Sequence, residues 1–157
     1  MLSFKKGSAV KKFCWLTALL LALPLSALAA ENLHLNQHLD YSSDSHDGPL
    51  ITGDKMQDGA VAGKPNYVIM YGEGCYNSKR QARRTVSLYE KYKGRVNFVV
   101  IDLDEHRSRE QSDLERKYYR SSIPHVVILD AKGNPAYSQA GEVDESVVSG
   151  LLDKLLQ

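Results

Sequence analysis

The stretch NYVIMYGEGCYNSKRQ, residues 66–81, joins an apolar run to a polar segment with helical spacing. NYVIMY (66–71) has the length and composition of a buried strand. The following segment, 78–94, ends in glycine and predicts a helix with one apolar face. Cys75 lies where the strand ends and the helix begins. The predicted apolar face consists of Ala82, Val86, Tyr89 and Tyr92.

The rest of the chain continues the same alternation of short apolar runs and helical patterns. We predict buried strands at 96–103 and 125–130, and a polar helix at 108–119. A turn at 131–134 leads into a fourth strand, 135–140, antiparallel to the third. The chain closes with an amphipathic helix at 144–157, capped by Asp144, whose apolar face is Val147, Val148, Leu151, Leu152 and Leu155.

This order of elements, β-α-β-α-β-β-α, predicts an α/β fold. A βαβ unit requires parallel strands with a crossover helix, and the hairpin adds an antiparallel edge. The result is a four-stranded mixed sheet flanked by helices on both faces. We place it in a single domain, 62–157.

The first 29 residues have the pattern of a signal peptide. MLSFKKGSAVKK carries four lysines and no acid, and an apolar run then ends at Ala27-Leu28-Ala29, a cleavage site of the A-x-A kind. We therefore expect an exported protein, periplasmic or secreted. The alternative is a membrane anchor through residues 13–30, so membrane association is expected only if the leader is not cleaved.

Removing the leader changes both the charge and the cysteine content. The whole chain has 20 basic and 19 acidic residues, and without the four leader lysines the balance is 16 against 19, or −3. This charge gives no indication of nucleic-acid binding. Cys14 belongs to the leader, so Cys75 is the only thiol of the exported chain. A single thiol in an oxidising compartment suggests intermolecular pairing or reactivity.

Residues 30–61 are polar and show no persistent periodicity. We interpret them as a flexible lead-in, with a short helix before Gly63. His34 and His38 are spaced i, i+4 within it, with Asp40, Asp44, His46 and Asp47 nearby. On a helix these two histidines could hold zinc or copper. The simpler interpretation is a solvated polar segment without a metal.

Four segments of the chain resemble the thioredoxin-like superfamily. Residues 62–79 resemble its first strand, active-site turn and helix start, and residues 95–105 resemble its next strand. Residues 121–135 resemble the cis-proline loop and hairpin, and residues 139–156 resemble the last helix and the strand end before it. The resemblance implies a thioredoxin-like fold and thiol–disulfide exchange. Ile-Pro-His and the leader resemble most the exported or membrane-tethered members.

The chain departs from the usual W-C-G-P-C motif of that superfamily. It has Gly74-Cys75-Tyr76-Asn77-Ser78, so the attacking cysteine is kept and the resolving cysteine is a serine. By the same alignment, a buried acid of the family falls on Ile69 and its lysine partner on Val100. The site is therefore of a monothiol C-x-x-S type.

We expect Cys75 to be the nucleophile, because a helix N-terminus favours the thiolate. Ser78 is placed to donate its hydroxyl to that thiolate. Four basic residues follow, and they either favour the thiolate as well or form a solvated helix face: Lys79, Arg80, Arg83 and Arg84.

The resemblance also implies a substrate-binding groove. Tyr76 and Asn77 would border it, and the backbone next to Ile123 would pair with an extended client, with Pro124 in the cis form. His125 follows directly. It is either a proton carrier for Cys75 or a half-buried strand histidine turned away from it.

These residues favour a monothiol exchange protein that forms mixed disulfides with client proteins or small thiols. An external thiol reductant, or a second cysteine of the client, would have to release each adduct. No dinucleotide or phosphate-binding motif is present, and we expect no cofactor. Two alternatives remain: a redox-inactive binding module on the same fold, and metal handling through the histidine-containing lead-in.

Overall fold

The computed structural model describes residues 30–157. The predicted signal peptide, its cleavage site and Cys14 lie outside these residues. Within residues 30–157, no helix combines the length and the apolar character that a membrane crossing requires.

Six strands and three helices make up the described part of the chain. In chain order they are β1 (Glu31–Leu35), β2 (Ile51–Asp54), β3 (Asn66–Tyr71), α1 (Tyr76–Tyr92), β4 (Asn97–Asp102), α2 (Arg109–Tyr118), β5 (His125–Leu129), β6 (Pro135–Ala140) and α3 (Glu145–Leu155). The seven elements predicted from residue 66 onward are confirmed, in the predicted order.

The main sheet has the strand order β4-β3-β5-β6. β3 pairs in parallel with β4, and α1 forms the crossover between them. β5 is antiparallel to β3, and the hairpin from β5 to β6 is antiparallel as well. The fold is therefore the predicted four-stranded mixed sheet of the α/β class.

Alternation along the central strands divides the core into two clusters. Tyr67, Ile69 and Tyr71 face the side that carries α1 and α3. Val68 and Met70 face the opposite side, where Tyr118 of α2 packs. All six residues of β3 are buried because helices cover both faces of the sheet.

The helices follow their sequence patterns closely, with one exception. Ala82, Tyr89 and Tyr92 of α1 are buried as predicted. Gly94 follows the helix with φ of 81°, a conformation that glycine adopts at low cost. In α3, however, Val147 is 49% exposed and does not join the predicted apolar face.

The segment 30–61 is packed, and our interpretation of it as a flexible lead-in is corrected. β1 and β2 form an antiparallel two-stranded sheet. Four apolar residues of segment 30–61 reach the core: Leu33, Tyr41, Leu50 and Ile51. Because their spacing along the sequence is irregular, they leave no periodic signal. No helix forms before Gly63. We call residues 30–61 the N-terminal segment below, and the domain boundary at 62 stays a prediction.

Two tyrosine hydroxyls of the main domain hold this segment in place. Tyr89 of α1 accepts a hydrogen bond from the N–H of Asn32 at 2.8 Å. Tyr71 of β3 accepts one from the N–H of Leu50 at 3.1 Å. These two hydrogen bonds attach the N-terminal segment to α1 and to β3.

Candidate functional site

Cys75 is the N-cap residue of α1 and follows directly on the turn after β3. Its backbone is extended (φ −102°, ψ 118°), and its carbonyl accepts the N–H of Lys79 at 3.0 Å. The thiol is free and partly exposed. Helix α1 therefore begins at Tyr76, and the positive end of its dipole lies next to Cys75. The Cys75 thiol is therefore accessible at the N-terminus of a helix.

An acidic residue of the N-terminal segment also reaches this helix end. The carboxylate of Asp44 accepts the N–H of Tyr76 at 2.7 Å. One of the free amides of the first helical turn is therefore already paired with an anion. Sequence reasoning missed this contact, because 32 residues separate its partners.

Tyr76 and Asn77 are exposed, as expected of residues that border a groove. The Arg80 guanidinium lies 5.3 Å from the centre of the Tyr76 ring, which limits the motion of that side chain. Both residues are therefore accessible to solvent.

Ser78 is fully buried, and its hydroxyl has no hydrogen-bond partner within residues 30–157. The expected hydrogen bond from Ser78 to the sulfur of Cys75 is therefore absent.

The basic residues after Cys75 serve the packing of the chain. Lys79 is 1% exposed, and its ammonium donates to the carbonyl of Asp40 and to Ser45. Arg80 and Arg84 both form ion pairs with Glu142. The interpretation as a solvated face is therefore wrong for Lys79, and the two arginines already have carboxylate partners.

The loop before β5 packs against the turn that precedes Cys75. The Ile123–Pro124 peptide bond is cis, Pro124 is buried and Ile123 is half-buried. A Cβ on Gly72 would lie 2.7 Å from Cδ1 of Ile123, so a larger residue at position 72 would displace the Ile123 side chain. Within residues 30–157, neither the N–H nor the C=O of Ile123 is hydrogen-bonded. Both groups are available to an extended peptide.

His125 lies in β5 and is 2% exposed. Its Nε2 lies 3.1 Å from the hydroxyl of Ser138, Nδ1 has no partner in the described part of the chain, and Tyr119 packs edge-on against the ring. Burial lowers the pKa of His125, and the positive charge of Arg120 adds to that effect. These contacts belong to the α2 side of the sheet, so the role of a proton carrier for Cys75 stays a prediction.

The positions of the family's buried acid and lysine are apolar and adjacent. Ile69 and Val100 are register neighbours in β3 and β4, and both are buried. A different acid, Asp102, ends β4 beside Tyr71. Burial raises the pKa of Asp102, and its Oδ2 is buried without a partner in the described residues. Asp102 lines a cavity of about 390 Å³ beneath β2.

The two histidines proposed as metal ligands do not form the expected pair. His34 lies in strand β1, and His38 lies in the turn that follows it. Both line a second cavity with Asn36, Gln37 and Thr52. Within residues 30–157 neither joins a group of three metal-ligating side chains, because a helical i, i+4 geometry does not form here.

No protein-family model matches the chain. Among curated proteins it is similar to the thioredoxin-like protein HCF164, chloroplastic, of Oryza sativa subsp. japonica, with 26% identity over 118 residues, 75% of this chain and 44% of the relative. It is also similar to the thiol:disulfide interchange protein TxlA of Synechococcus elongatus, with 27% identity over 94 residues, 60% of this chain and 48% of the relative. The chain thus spans about half the length of these relatives.

Solved structures agree with the fold. An uncharacterized thioredoxin-like protein from Clostridium perfringens has a TM-score of 0.51 at 23% identity, over 61% of this chain and 74% of that one. Thioredoxin-2, described as a component of the malaria parasite protein secretion machinery, has a TM-score of 0.51 at 18% identity, over 62% of this chain and 97% of that one. At these identities the likeness concerns the fold alone.

Proposed function

We propose that this chain, which belongs to the thioredoxin-like superfamily, performs thiol–disulfide exchange through Cys75 alone. The observation that carries the proposal is the position of the Cys75 thiol, partly exposed at the N-terminus of α1. One curated relative is named a thiol:disulfide interchange protein, which supports the same class of reaction.

The exchange begins when the Cys75 thiolate attacks one sulfur of a disulfide. A new S–S bond joins Cys75 to the client, the old S–S bond breaks, and the second sulfur leaves as a thiolate. A hydroxyl cannot displace a sulfur at neutral pH, so Ser78 cannot resolve this adduct. An external thiol or a second cysteine of the client then attacks the client's sulfur in this adduct. A new S–S bond forms there, the bond to Cys75 breaks, and Cys75 leaves as a thiolate.

Client recognition would use the loop that packs against the active-site turn. The unpaired N–H and C=O of Ile123 can hydrogen-bond an extended client strand, with Pro124 beneath it. Tyr76 and Asn77 are exposed on the other side of Cys75. Main-chain pairing of this kind tolerates many client sequences, and the partners would be proteins with thiols or disulfides.

We further propose that the protein acts after export, in the periplasm or outside the cell. The basic and apolar pattern of residues 1–29 supports export, and cleavage at Ala29 would release the domain. Retention of residues 13–30 as an anchor would place the same domain at a membrane surface. Fractionation of cells that express the full chain distinguishes the two locations.

The second candidate is a client-binding module without exchange chemistry. It is favoured by the pairing of Asp44 with the helix N-terminus and by the absence of a hydrogen bond to the Cys75 sulfur from Ser78. In this case the groove would bind clients non-covalently, and the thiol would be inert.

Alkylation kinetics separate the two candidates. With Cys14→Ser in the background, Cys75 is the only thiol, and its rate at pH 7 is compared with that of the same chain unfolded in urea. A helix terminus contributes about 0.3–1 kcal/mol to an adjacent anion, so we expect the folded chain to react about two- to fivefold faster. A folded chain slower than the unfolded one would support the binding module.

Oxidised glutathione provides the test of exchange itself. Intact-mass spectrometry of the Cys14→Ser protein should show one glutathione adduct, which reduced thiol removes and which an added Cys75→Ala substitution abolishes. Absence of an adduct on the folded Cys14→Ser protein, when the unfolded chain forms one, would contradict the proposal.

A further inference from the structure

A second cluster of ionisable side chains lies next to the active-site turn and takes no part in the proposed exchange. It consists of His46, Glu73 and Asp104, whose ligand atoms all lie within 4.8 Å of one another. Nδ1 of His46 is 3.2 Å from the carboxylate of Glu73, and Nε2 is 3.7 Å from that of Asp104.

The fold brings these residues together from three separate segments. Glu73 follows β3 and Asp104 follows β4, and the carboxyl ends of parallel neighbours meet at one edge of the sheet. The N–H of Glu73 donates to Asp104 at 2.8 Å, which joins the two acids. His46 comes from the N-terminal segment and crosses over Gly74, where an added Cβ would lie 3.3 Å from the imidazole ring.

Glu73 is an unusual residue for a structural ion pair. Its side chain is only 5% exposed, yet within residues 30–157 its carboxylate has no partner outside this cluster. No lysine or arginine of the described chain pairs with either acid. Burial of a carboxylate is costly unless a cation or several donors compensate for it. An exposed imidazole, 61% accessible, is weak compensation.

We propose that His46, Glu73 and Asp104 form a binding site for a divalent cation of the zinc type. One imidazole nitrogen and two carboxylates are a donor set that zinc and neighbouring first-row cations accept. Three protein ligands leave further coordination positions to water. The cation supplies the positive charge that the buried Glu73 lacks, and it ties the N-terminal segment to the ends of β3 and β4. This inference goes beyond the proposed exchange reaction.

The test is a competition titration of the full chain with Zn²⁺ against a chromogenic chelator. One equivalent should bind to the wild-type chain. His46→Gln should weaken binding by well over tenfold, since loss of an outer-sphere partner alone costs about 10–100-fold. His46 is exposed, so the variant should fold. The matched controls are His34→Gln and His38→Gln, histidines of the same segment outside the cluster, which should leave binding unchanged.

Asp104→Asn supplies a second variant on an exposed ligand, and the visible spectrum of bound Co²⁺ provides a readout that depends on the ligands themselves. Both variants should lose the wild-type Co²⁺ spectrum. Zn²⁺ should also raise the melting temperature of the wild-type chain and not that of His46→Gln. Equal Zn²⁺ affinity in wild type and His46→Gln would overturn the proposal and leave the cluster as an ion pair.

Cys75→Ala separates this site from the proposed exchange. A thiolate is itself a zinc ligand, so binding that disappears in Cys75→Ala and persists in His46→Gln would assign the metal to the thiol and overturn the site. We expect the reverse: Cys75→Ala loses the glutathione adduct and keeps Zn²⁺, whereas His46→Gln loses Zn²⁺ and keeps the adduct.

Discussion

The β3–α1 unit and the N-terminal segment are organised in opposite ways. In β3–α1, a continuous apolar run and a helical repeat determine local structure, and Cys75 lies at their junction. The N-terminal segment has no such repeat, and its apolar residues reach the core one at a time. Hydrophobic periodicity in the sequence therefore indicates regular secondary structure. Its absence does not indicate that a segment is disordered. Five experiments can break or sharpen this comparison.

The largest effect should come from the nucleophile. Cys75→Ala should abolish disulfide-linked adducts completely, because no other thiol is present in residues 30–157. Non-reducing electrophoresis of the Cys14→Ser protein incubated with disulfide-containing clients measures this. Ser78→Ala is the control and should retain adduct formation, since its hydroxyl does not bond the sulfur. Adducts that survive in Cys75→Ala would disprove the assignment.

The N-terminal segment should contribute strongly to stability despite its polar composition. Leu50→Ala should lower the free energy of unfolding by about 2–5 kcal/mol, because Leu50 is fully buried. Urea denaturation measures the loss. Val147→Ala, at a half-exposed helix position, should cost far less. A loss at Leu50 no larger than at Val147 would mean that the segment is detached in solution.

Lys79 links the two regions directly. Lys79→Ala should lower the free energy of unfolding by about 1–3 kcal/mol, because the carbonyl of Asp40 and the hydroxyl of Ser45 lose their donor. Lys91→Ala, on the exposed part of the same helix, is the control and should change stability little. Equal unfolding midpoints for the two variants would show that the buried ammonium contributes nothing.

Asp44 should restrain the reactivity of Cys75. Asp44→Asn removes an anion from the helix N-terminus, so alkylation of Cys75 at pH 7 should become about two- to fivefold faster, equivalent to about 0.3–1 kcal/mol. Asp47→Asn changes the same charge on an exposed neighbour and should leave the rate within experimental error of wild type. If Asp44→Asn and Asp47→Asn accelerate alkylation equally, the cause is the change in net charge and not the position of Asp44 at the helix end.

The smallest effect should appear in the pH dependence of stability. Burial lowers the pKa of His125 in the folded state, so the unfolded chain takes up this proton first as the pH falls. The free energy of unfolding should therefore decrease as the pH drops below the pKa of His125 in the unfolded chain, about 6.5. The slope should be at most about 1.4 kcal/mol per pH unit.

His125→Gln should flatten the stability profile between pH 7 and pH 5 relative to wild type, as measured by urea denaturation at each pH. His38→Gln, a variant of an exposed histidine, should reproduce the wild-type profile. A profile of His125→Gln parallel to that of wild type would mean that His125 carries its proton in the folded state.

Sequence reasoning identified the fold well because its signals are local. NYVIMY, bounded by proline and glycine, predicted a buried strand, and the structure has one at Asn66–Tyr71. The helix after Cys75 and its stop near Gly94 were evident from spacing and from glycine. The order of the elements then predicted a four-stranded mixed sheet, and the superfamily resemblance agreed with it.

The site was predicted only in part, because several of its contacts join distant residues. Tyr76 and Asn77 are exposed and Ile123 packs on Gly72, while the groove that these residues would border stays a prediction. The capping carboxylate of Asp44 and the buried ammonium of Lys79 were missed. Nothing in the spacing of a polar segment marks which of its groups will meet a helix end.

The sequence by itself determined the order of elements, the class of the sheet and the place of one thiol at a strand–helix junction, because hydrophobic period and turn residues act over a few positions. Only the tertiary structure decided which charged groups meet at the turn that carries this thiol. Asp44, His46 and Glu73 are separated in the chain and meet through the packing of apolar residues, which orders the polar groups between them. The electrostatic environment of a group depends on its distances to charged groups in space. For residues far apart in the sequence, those distances are set by the tertiary structure.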